Sequence, residues 1–123
     1  MQRWFTKHYR LGWATCPLTE NGIVRVLSQA GYPSGQRNPA EVIQVLNALK
    51  VAFEKSYQFW CDDVSLTDGK LFDTALIAGS RQITDVYLLG LAARHEGTLA
   101  SFDRSLVWQA VRGGSGRLIE ELR

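Results

Sequence analysis

Trp13-Ala14-Thr15-Cys16-Pro17-Leu18-Thr19-Glu20 is a segment in which a short apolar strand is followed directly by a helix. Pro17 ends the strand because proline lacks the N–H that a strand needs for its ladder of hydrogen bonds. Apolar residues at positions 23, 24, 26 and 27 then recur at helical spacing, and Thr19 and Glu20 lie in the first turn. The segment therefore predicts a strand and a helix in succession.

The same alternation continues towards the C-terminus. Asn38 and Pro39 predict the N-cap and first position of an amphipathic helix. Thr84 is expected to cap a later helix that Gly97 ends. The further elements predicted from composition and periodicity are strands at 57–60, 98–102 and 117–122 and helices at 67–77 and 85–95. Alternating strands and helices of these lengths indicate an α/β domain with a mainly parallel sheet.

Length and composition are those of one globular domain. The chain has 123 residues, of which 46% are hydrophobic and 21% charged, so residues 1–123 are expected to form a single domain. No run approaches the roughly 18 apolar residues of a membrane-spanning helix, and the first ten residues lack the apolar core of a signal peptide. We therefore expect a cytoplasmic protein without a membrane partner. Cys16 and Cys61 lack the spacing of a zinc site and are expected to be buried thiols.

Three carboxylates are candidates for a metal site. Ligands of open α/β sheets gather at the carboxyl ends of the strands, where Glu20 and Asp103 follow predicted strands, and Asp85 opens the helix before the second of these strands. Converging carboxylates without His or Cys suit Mg²⁺ or Mn²⁺. Each acid also has a purely structural explanation. The helix dipole favours Glu20 and Asp85 in first turns, and Asp103 can cap a turn that includes Ser105.

Three blocks of sequence carry a more specific signal: GWATCPLTENGIVRVL at 12–27, QITDVYLLGLA at 82–92 and GTLASFD at 97–103. In this order they resemble the PIN-domain family, and within it the VapC-type toxins of bacterial toxin–antitoxin pairs. The resemblance extends from about Gly12 to the C-terminus. It implies a three-layer domain with a parallel sheet flanked by helices, and a Mg²⁺- or Mn²⁺-dependent endoribonuclease that hydrolyses RNA. It also implies a homodimer and inhibition by a cognate antitoxin.

The resemblance also assigns roles to individual residues. Glu20, Asp85 and Asp103 match the acidic positions of the family, and are therefore expected to be the catalytic residues that bind the metal. Ser101 matches a small hydroxyl position behind these ligands. Apart from the resemblance, Arg81 and Arg104 are the first candidates for binding RNA phosphates because of their position near the acids. Ten of the fourteen cationic residues are arginine, whose planar guanidinium suits phosphate. A solvated surface of mixed charge explains the arginines equally well.

The N-terminus departs from the family pattern. PIN domains begin with an apolar strand that ends in an aspartate, followed by a helix, and residues 1–11 contain neither that strand nor its aspartate. The sequence thus predicts an N-terminally truncated domain that lacks the first strand and part of the first helix, with the end of that helix near residues 4–9. An alternative function follows: a catalytically inactive PIN-like module that dimerises or binds an antitoxin.

Overall fold

The computed structural model describes residues 12–29, 38–101, 103 and 105–122. The helix end predicted near residues 4–9 lies outside these residues. Within them the α-helices are α1 (Pro17–Leu27), α2 (Pro39–Ala52) and α3 (Ile83–Arg94), and the strands are β1 (Trp13–Thr15), β2 (Tyr57–Phe59), β3 (Leu99–Ser101) and β4 (Ile119–Glu121). Short 3₁₀ turns span Glu54–Ser56, Thr74–Leu76, Ser80–Gln82, Trp108–Ala110 and Gly116–Leu118. The chain divides into two compact units between Asp62 and Asp63.

The first unit is built on the parallel pair β1–β2. Trp13 is in register with Tyr57 and Thr15 with Phe59, and the N–H of Trp60 continues the ladder by donating to the Thr15 carbonyl over 2.8 Å. The rings of Trp13 and Tyr57 pack with centroids 4.5 Å apart. Parallel strands need a long crossover, and α1 and α2 supply it.

Both helices of this unit begin where their local sequence predicts. Cys16 is extended with ψ 167°, the conformation favoured before proline, and Pro17 opens α1. Asn38 caps α2, because its side chain accepts the N–H of Glu41 over 2.9 Å and donates to the Glu41 carboxylate over 2.8 Å. The predicted N-cap at Asn38 and first position at Pro39 are confirmed.

The second unit packs around α3. Its core consists of side chains at most 7% exposed from α3 and the segments around it: Phe72, Val86, Leu89, Leu106, Ala110 and Val111. Gly90 of α3 faces Phe72 so closely that a Cβ there would overlap the ring atoms Cζ and Cε1. Glycine at this position lets the helix backbone approach the aromatic ring.

The predicted boundaries of α3 are wrong at both ends. The 3₁₀ turn Ser80–Gln82 leads straight into α3, so the helix begins at Ile83 with Gln82 as its cap, and Thr84 lies inside it. At the other end, Gly97 N–H donates to Ala92 O over 2.8 Å in a Schellman-type closure, and the left-handed residue is Glu96, with φ 57°. Glycine therefore follows the left-handed position instead of occupying it.

The parallel pair β3–β4 completes the second unit. Leu99 is in register with Ile119 and Ser101 with Glu121, and the N–H of Leu122 donates to the Ser101 carbonyl over 2.8 Å. Where the sequence predicts a helix at 67–77, the structure has turns and the 3₁₀ segment Thr74–Leu76.

The predicted mixture of helices with parallel strands is confirmed. Cys16 is buried as expected, whereas Cys61 is exposed, so the expectation of two buried thiols is wrong for Cys61. Across the part of the chain that the structure describes, no helix combines the length and apolarity needed to cross a membrane.

Candidate functional site

Glu20 is the first of the predicted acids and lies in the first turn of α1. Its Oε2 accepts a hydrogen bond from Thr15 Oγ1 over 2.6 Å and lies 2.5 Å from Lys50 Nζ. Thr15 is the last residue of β1, and Lys50 lies near the end of α2. The ion pair is sheltered, with side-chain exposures of 22% for Glu20 and 25% for Lys50.

Tyr57 closes a network around this acid, which we call the Glu20 network: Thr15, Glu20, Lys50 and Tyr57. The hydroxyl oxygens of Thr15 and Tyr57 are 2.6 Å apart. Because the single hydroxyl proton of Thr15 goes to Glu20, Tyr57 is the donor in this second bond. Lys50 Nζ also lies 5.4 Å from the centroid of the Tyr57 ring, within range of a cation–π attraction.

The Glu20 network holds both of its charged groups in their ionised forms. Burial acts to raise the pKa of Glu20, but hydrogen bonds from Lys50 and Thr15 outweigh it and bring the pKa below its ordinary 4.5. The hydrogen bond to Glu20 raises the pKa of Lys50 above its ordinary 10.5. At neutral pH the pair is therefore a carboxylate and an ammonium ion.

Asp103 follows β3 and is held by a local turn. Its Oδ1 accepts both the N–H of Ser105, over 2.7 Å, and the Ser105 hydroxyl, over 2.6 Å. Its own N–H donates to Ser101 Oγ over 3.0 Å. The Ser105 hydroxyl and then the Ser105 N–H lower the pKa of Asp103, so this exposed side chain is ionised and oriented. The structure therefore contains the turn capped by Asp103 and including Ser105 that the sequence offers as a purely structural role for this acid.

Asp85 lies in the first turn of α3 and has the opposite electrostatic environment. Burial raises the pKa of its carboxyl, and the negative charge of Asp103 raises it further. Asp103 is thus close enough for its charge to oppose the ionisation of Asp85. Such a pair is the donor chemistry that a hard divalent cation stabilises.

The residues predicted for the site lie in different units of the structure. Glu20 belongs to the first unit, and Asp85 and Asp103 belong to the second. Within either unit, the described side chains of His, Cys, Asp and Glu form no group of three that would hold a metal ion. Arg81 is exposed in the 3₁₀ turn before α3, and Arg104 lies outside the described residues.

Sequence reasoning missed the partners of Glu20. Lys50 lies near the end of the second crossover helix and Tyr57 begins the strand after it, so both are distant from Glu20 in the sequence. No local pattern links them to Glu20. The contact of Asp62 with the start of α1 was also not predicted: its Oδ2 accepts the N–H of Leu18 over 3.2 Å. A short-range signal existed only for Ser105, because an aspartate two residues before a serine is typical of a side-chain-capped turn.

Comparison with known proteins identifies curated relatives of this chain, all from Mycobacterium tuberculosis. It is 40% identical to ribonuclease VapC44 over 113 residues, which cover 91% of this chain and 77% of that protein. It is 39% identical to ribonuclease VapC39 over 112 residues, 91% of this chain and 79% of that protein. It is 44% identical to ribonuclease VapC38 over 103 residues, 84% of this chain and 70% of that protein. No family model matches the chain.

Proposed function

Because the chain belongs to the VapC family of PIN-domain ribonucleases, we propose that it is a toxin-type endoribonuclease that hydrolyses RNA phosphodiester bonds with Mg²⁺ or Mn²⁺. The family membership confirms the resemblance predicted from the three sequence blocks. The observation that carries the proposal is the similarity to ribonuclease VapC44 across most of both chains.

The proposed architecture is the three-layer PIN domain, formed by residues 1–123 as one domain with a parallel sheet between helices. Two observations support it. Each unit contains a parallel pair of strands, and each pair is connected through helical segments. Both features are expected of a doubly covered parallel sheet.

We propose that Glu20, Asp85 and Asp103 are the metal ligands of the active site. The support is chemical: all three offer hard carboxylate oxygens, and the Asp103 charge that raises the pKa of Asp85 is of the kind that a bound divalent cation offsets. When bound, such an ion polarises a phosphoryl oxygen and lowers the pKa of a bound water.

The other residues of the proposed site orient these acids and the RNA. Ser105 keeps Asp103 ionised and aligned through two hydrogen bonds, and Ser101 holds the backbone of Asp103 from the preceding strand. Arg81 and Arg104 are proposed to bind RNA phosphates, where each guanidinium adds affinity that salt weakens.

A cognate antitoxin and a second copy of the chain are the proposed protein partners. Both follow from the toxin family. The homodimer has additional support from α2, which leaves aliphatic side chains in solvent: Val51 is 72% exposed, and Ile43 and Val45 are each 45% exposed. Association with a second copy would remove such apolar surface from water.

Cleavage of a labelled RNA by the purified chain tests the proposed function. We expect cleavage with Mg²⁺ or Mn²⁺, none with EDTA, and recovery when the metal is restored in excess. Asp103→Asn isolates the charge, because asparagine still accepts the Ser105 hydrogen bonds, and we expect it to lose at least about 100-fold in rate. Asp63→Asn, at an exposed acid of the same unit, is the matched control and is expected to cleave normally.

Two outcomes would contradict the proposal. Cleavage that persists in EDTA, or that Asp103→Asn leaves intact, would show that these carboxylates do not act through a metal. Binding of RNA or of a partner chain without any metal-dependent turnover would instead support the alternative function, a catalytically inactive PIN-like module.

A further inference from the structure

The Glu20 network already contains a cation. Lys50 Nζ lies 2.5 Å from Glu20 Oε2, the same oxygen that accepts the Thr15 hydroxyl. The carboxylate is therefore neutralised by a side chain of its own chain, in a setting where about a quarter or less of either side chain meets solvent. From this contact we infer that Lys50 is an internal counter-ion of Glu20, which a divalent metal ion must displace before it binds that carboxylate.

This inference rests on the proposed function, in which Glu20 is a metal ligand. Two cations compete for one carboxylate oxygen because each repels the other, and the repulsion grows as solvent is excluded from the site. An ammonium group in hydrogen-bonding contact with Oε2 therefore weakens the binding of a metal ion to Glu20. Removal of the Lys50 charge should strengthen metal binding, whereas a residue that only supported the site would weaken it when lost.

The surroundings of Lys50 suit a group that alternates between two positions. Its ammonium ion lies 5.4 Å from the centroid of the Tyr57 ring and 5.6 Å from that of the Phe59 ring, so two aromatic faces attract the charge beside Glu20. The flexible four-carbon stem of lysine permits a small displacement along these rings without movement of the helix backbone. Thr15 meanwhile keeps its hydrogen bond to the carboxylate from the strand side, and Tyr57 in turn donates to Thr15.

Calorimetric titration of the metal-free chain with MnCl₂, without RNA, tests the exchange. Lys50→Met keeps the aliphatic stem and removes the charge, and its Kd for Mn²⁺ should be about fivefold lower than that of the parent chain. This ratio corresponds to about 1 kcal/mol, the upper range for a partly exposed ion pair. Lys55→Met changes the net charge equally at an exposed lysine of the same unit, and its Kd should equal that of the parent.

A second variant and a second readout protect the test against a folding defect. If Lys50→Met does not fold, Lys50→Gln decides, since glutamine is neutral yet still donates a hydrogen bond to Glu20, and its Kd should also fall. In thermal melts, Mn²⁺ should raise the Tm of the neutral variant by more than it raises the Tm of the parent. This readout requires no catalytic activity.

The outcomes separate this inference from the proposed function. Equal or weaker Mn²⁺ binding by the neutral variants overturns the exchange and leaves metal-dependent cleavage untouched. Tighter binding by Lys50→Met and Lys55→Met alike also overturns it, because the effect would then reflect net charge. Failure of the parent and of every variant to bind Mn²⁺ overturns the exchange and the proposed function together.

Discussion

Replacement of Gly90 by alanine should destabilise the protein, although alanine is the better helix former. Gly90 lies inside α3, the helix that carries Asp85 in its first turn. A Cβ at position 90 would overlap Cζ and Cε1 of Phe72 and come within 3.3 Å of its Cε2. Phe72 is only 1% exposed and belongs to the core of the second unit, so its ring has no solvent into which it can turn.

The magnitude follows from two opposing effects. Alanine gains about 1 kcal/mol over glycine in a helix interior. Overpacking of a filled core costs about 1 to 3 kcal/mol, and the cost lies at the upper end here because two ring atoms fall well inside the roughly 3.5 Å contact distance of carbon atoms. We expect Gly90→Ala to lower the free energy of unfolding by about 2 kcal/mol.

Gly22→Ala provides the matched control. Gly22 also lies inside a helix, α1, but among the residues that the structure describes, no atom beyond its chain neighbours and its own helix backbone lies within 4 Å of the position its Cβ would take. Only the propensity gain remains, and Gly22→Ala should stabilise the chain by about 0.5 to 1 kcal/mol. The same chemical change is thus expected to have opposite signs at the two sites.

Urea denaturation followed by far-UV circular dichroism measures both variants. At a typical slope of about 2 kcal/mol per molar urea, Gly90→Ala should lower the midpoint by about 1 M. A Gly90→Ala midpoint equal to or above that of the parent would refute the reasoning, because it would show that α3 and Phe72 are not in close contact. A combined Gly90→Ala and Phe72→Leu variant should recover part of the loss, since the smaller side chain makes room for the methyl group.

Two further predictions concern charge and backbone. Asp85→Asn should stabilise the metal-free protein by about 0.5 kcal/mol at neutral pH, since burial and Asp103 raise the pKa of Asp85 and its ionisation therefore opposes folding. The folded parent binds the carboxyl proton of Asp85 more tightly than the unfolded chain does, so the stability of the parent should fall as pH rises from the ordinary pKa of 3.8 through the raised pKa. Denaturation at a series of pH values from about 4 to 8 measures this fall. An Asp85→Asn variant with the same pH profile as the parent would contradict the prediction. Glu96→Gly should raise the free energy of unfolding by about 1 kcal/mol and thereby the Tm, because glycine removes the cost of the left-handed φ of 57°, and an unchanged or lower Tm would be evidence against it.

The parts of the fold that were predictable depend on neighbours in the chain. The pair Asn38–Pro39 marks the start of α2, and Pro17 ends β1, because the effect of these residues is on the adjacent backbone; α1 begins at Pro17 itself. The start of α3 was mispredicted for the converse reason. Thr84 is a good cap in isolation, but the preceding 3₁₀ turn had already made the backbone helical before Thr84 was reached.

The candidate site divides in the same way. The local pattern predicted that Glu20 and Asp85 lie in the first turns of helices and that Asp103 follows a strand. The sequence blocks around these residues also predicted the protein family. The contacts and charges that surround each acid in the folded protein could not be predicted from the sequence. Lys50 reaches Glu20 only because a crossover of two helices returns the chain to a parallel strand beside β1.

The sequence by itself determined the alternation of strands and helices, the start of α2 at Asn38 and Pro39, and the placement of the three candidate acids beside helix starts and strand ends, because these depend on residue type and on spacing within a few positions. Only the tertiary structure decided that Glu20 is neutralised by Lys50, that burial and the charge of Asp103 oppose the ionisation of Asp85, and that Gly90 makes room for Phe72. Each of these is a contact between distant parts of the chain, and its energy comes from burial and charge that exist only after the chain has folded.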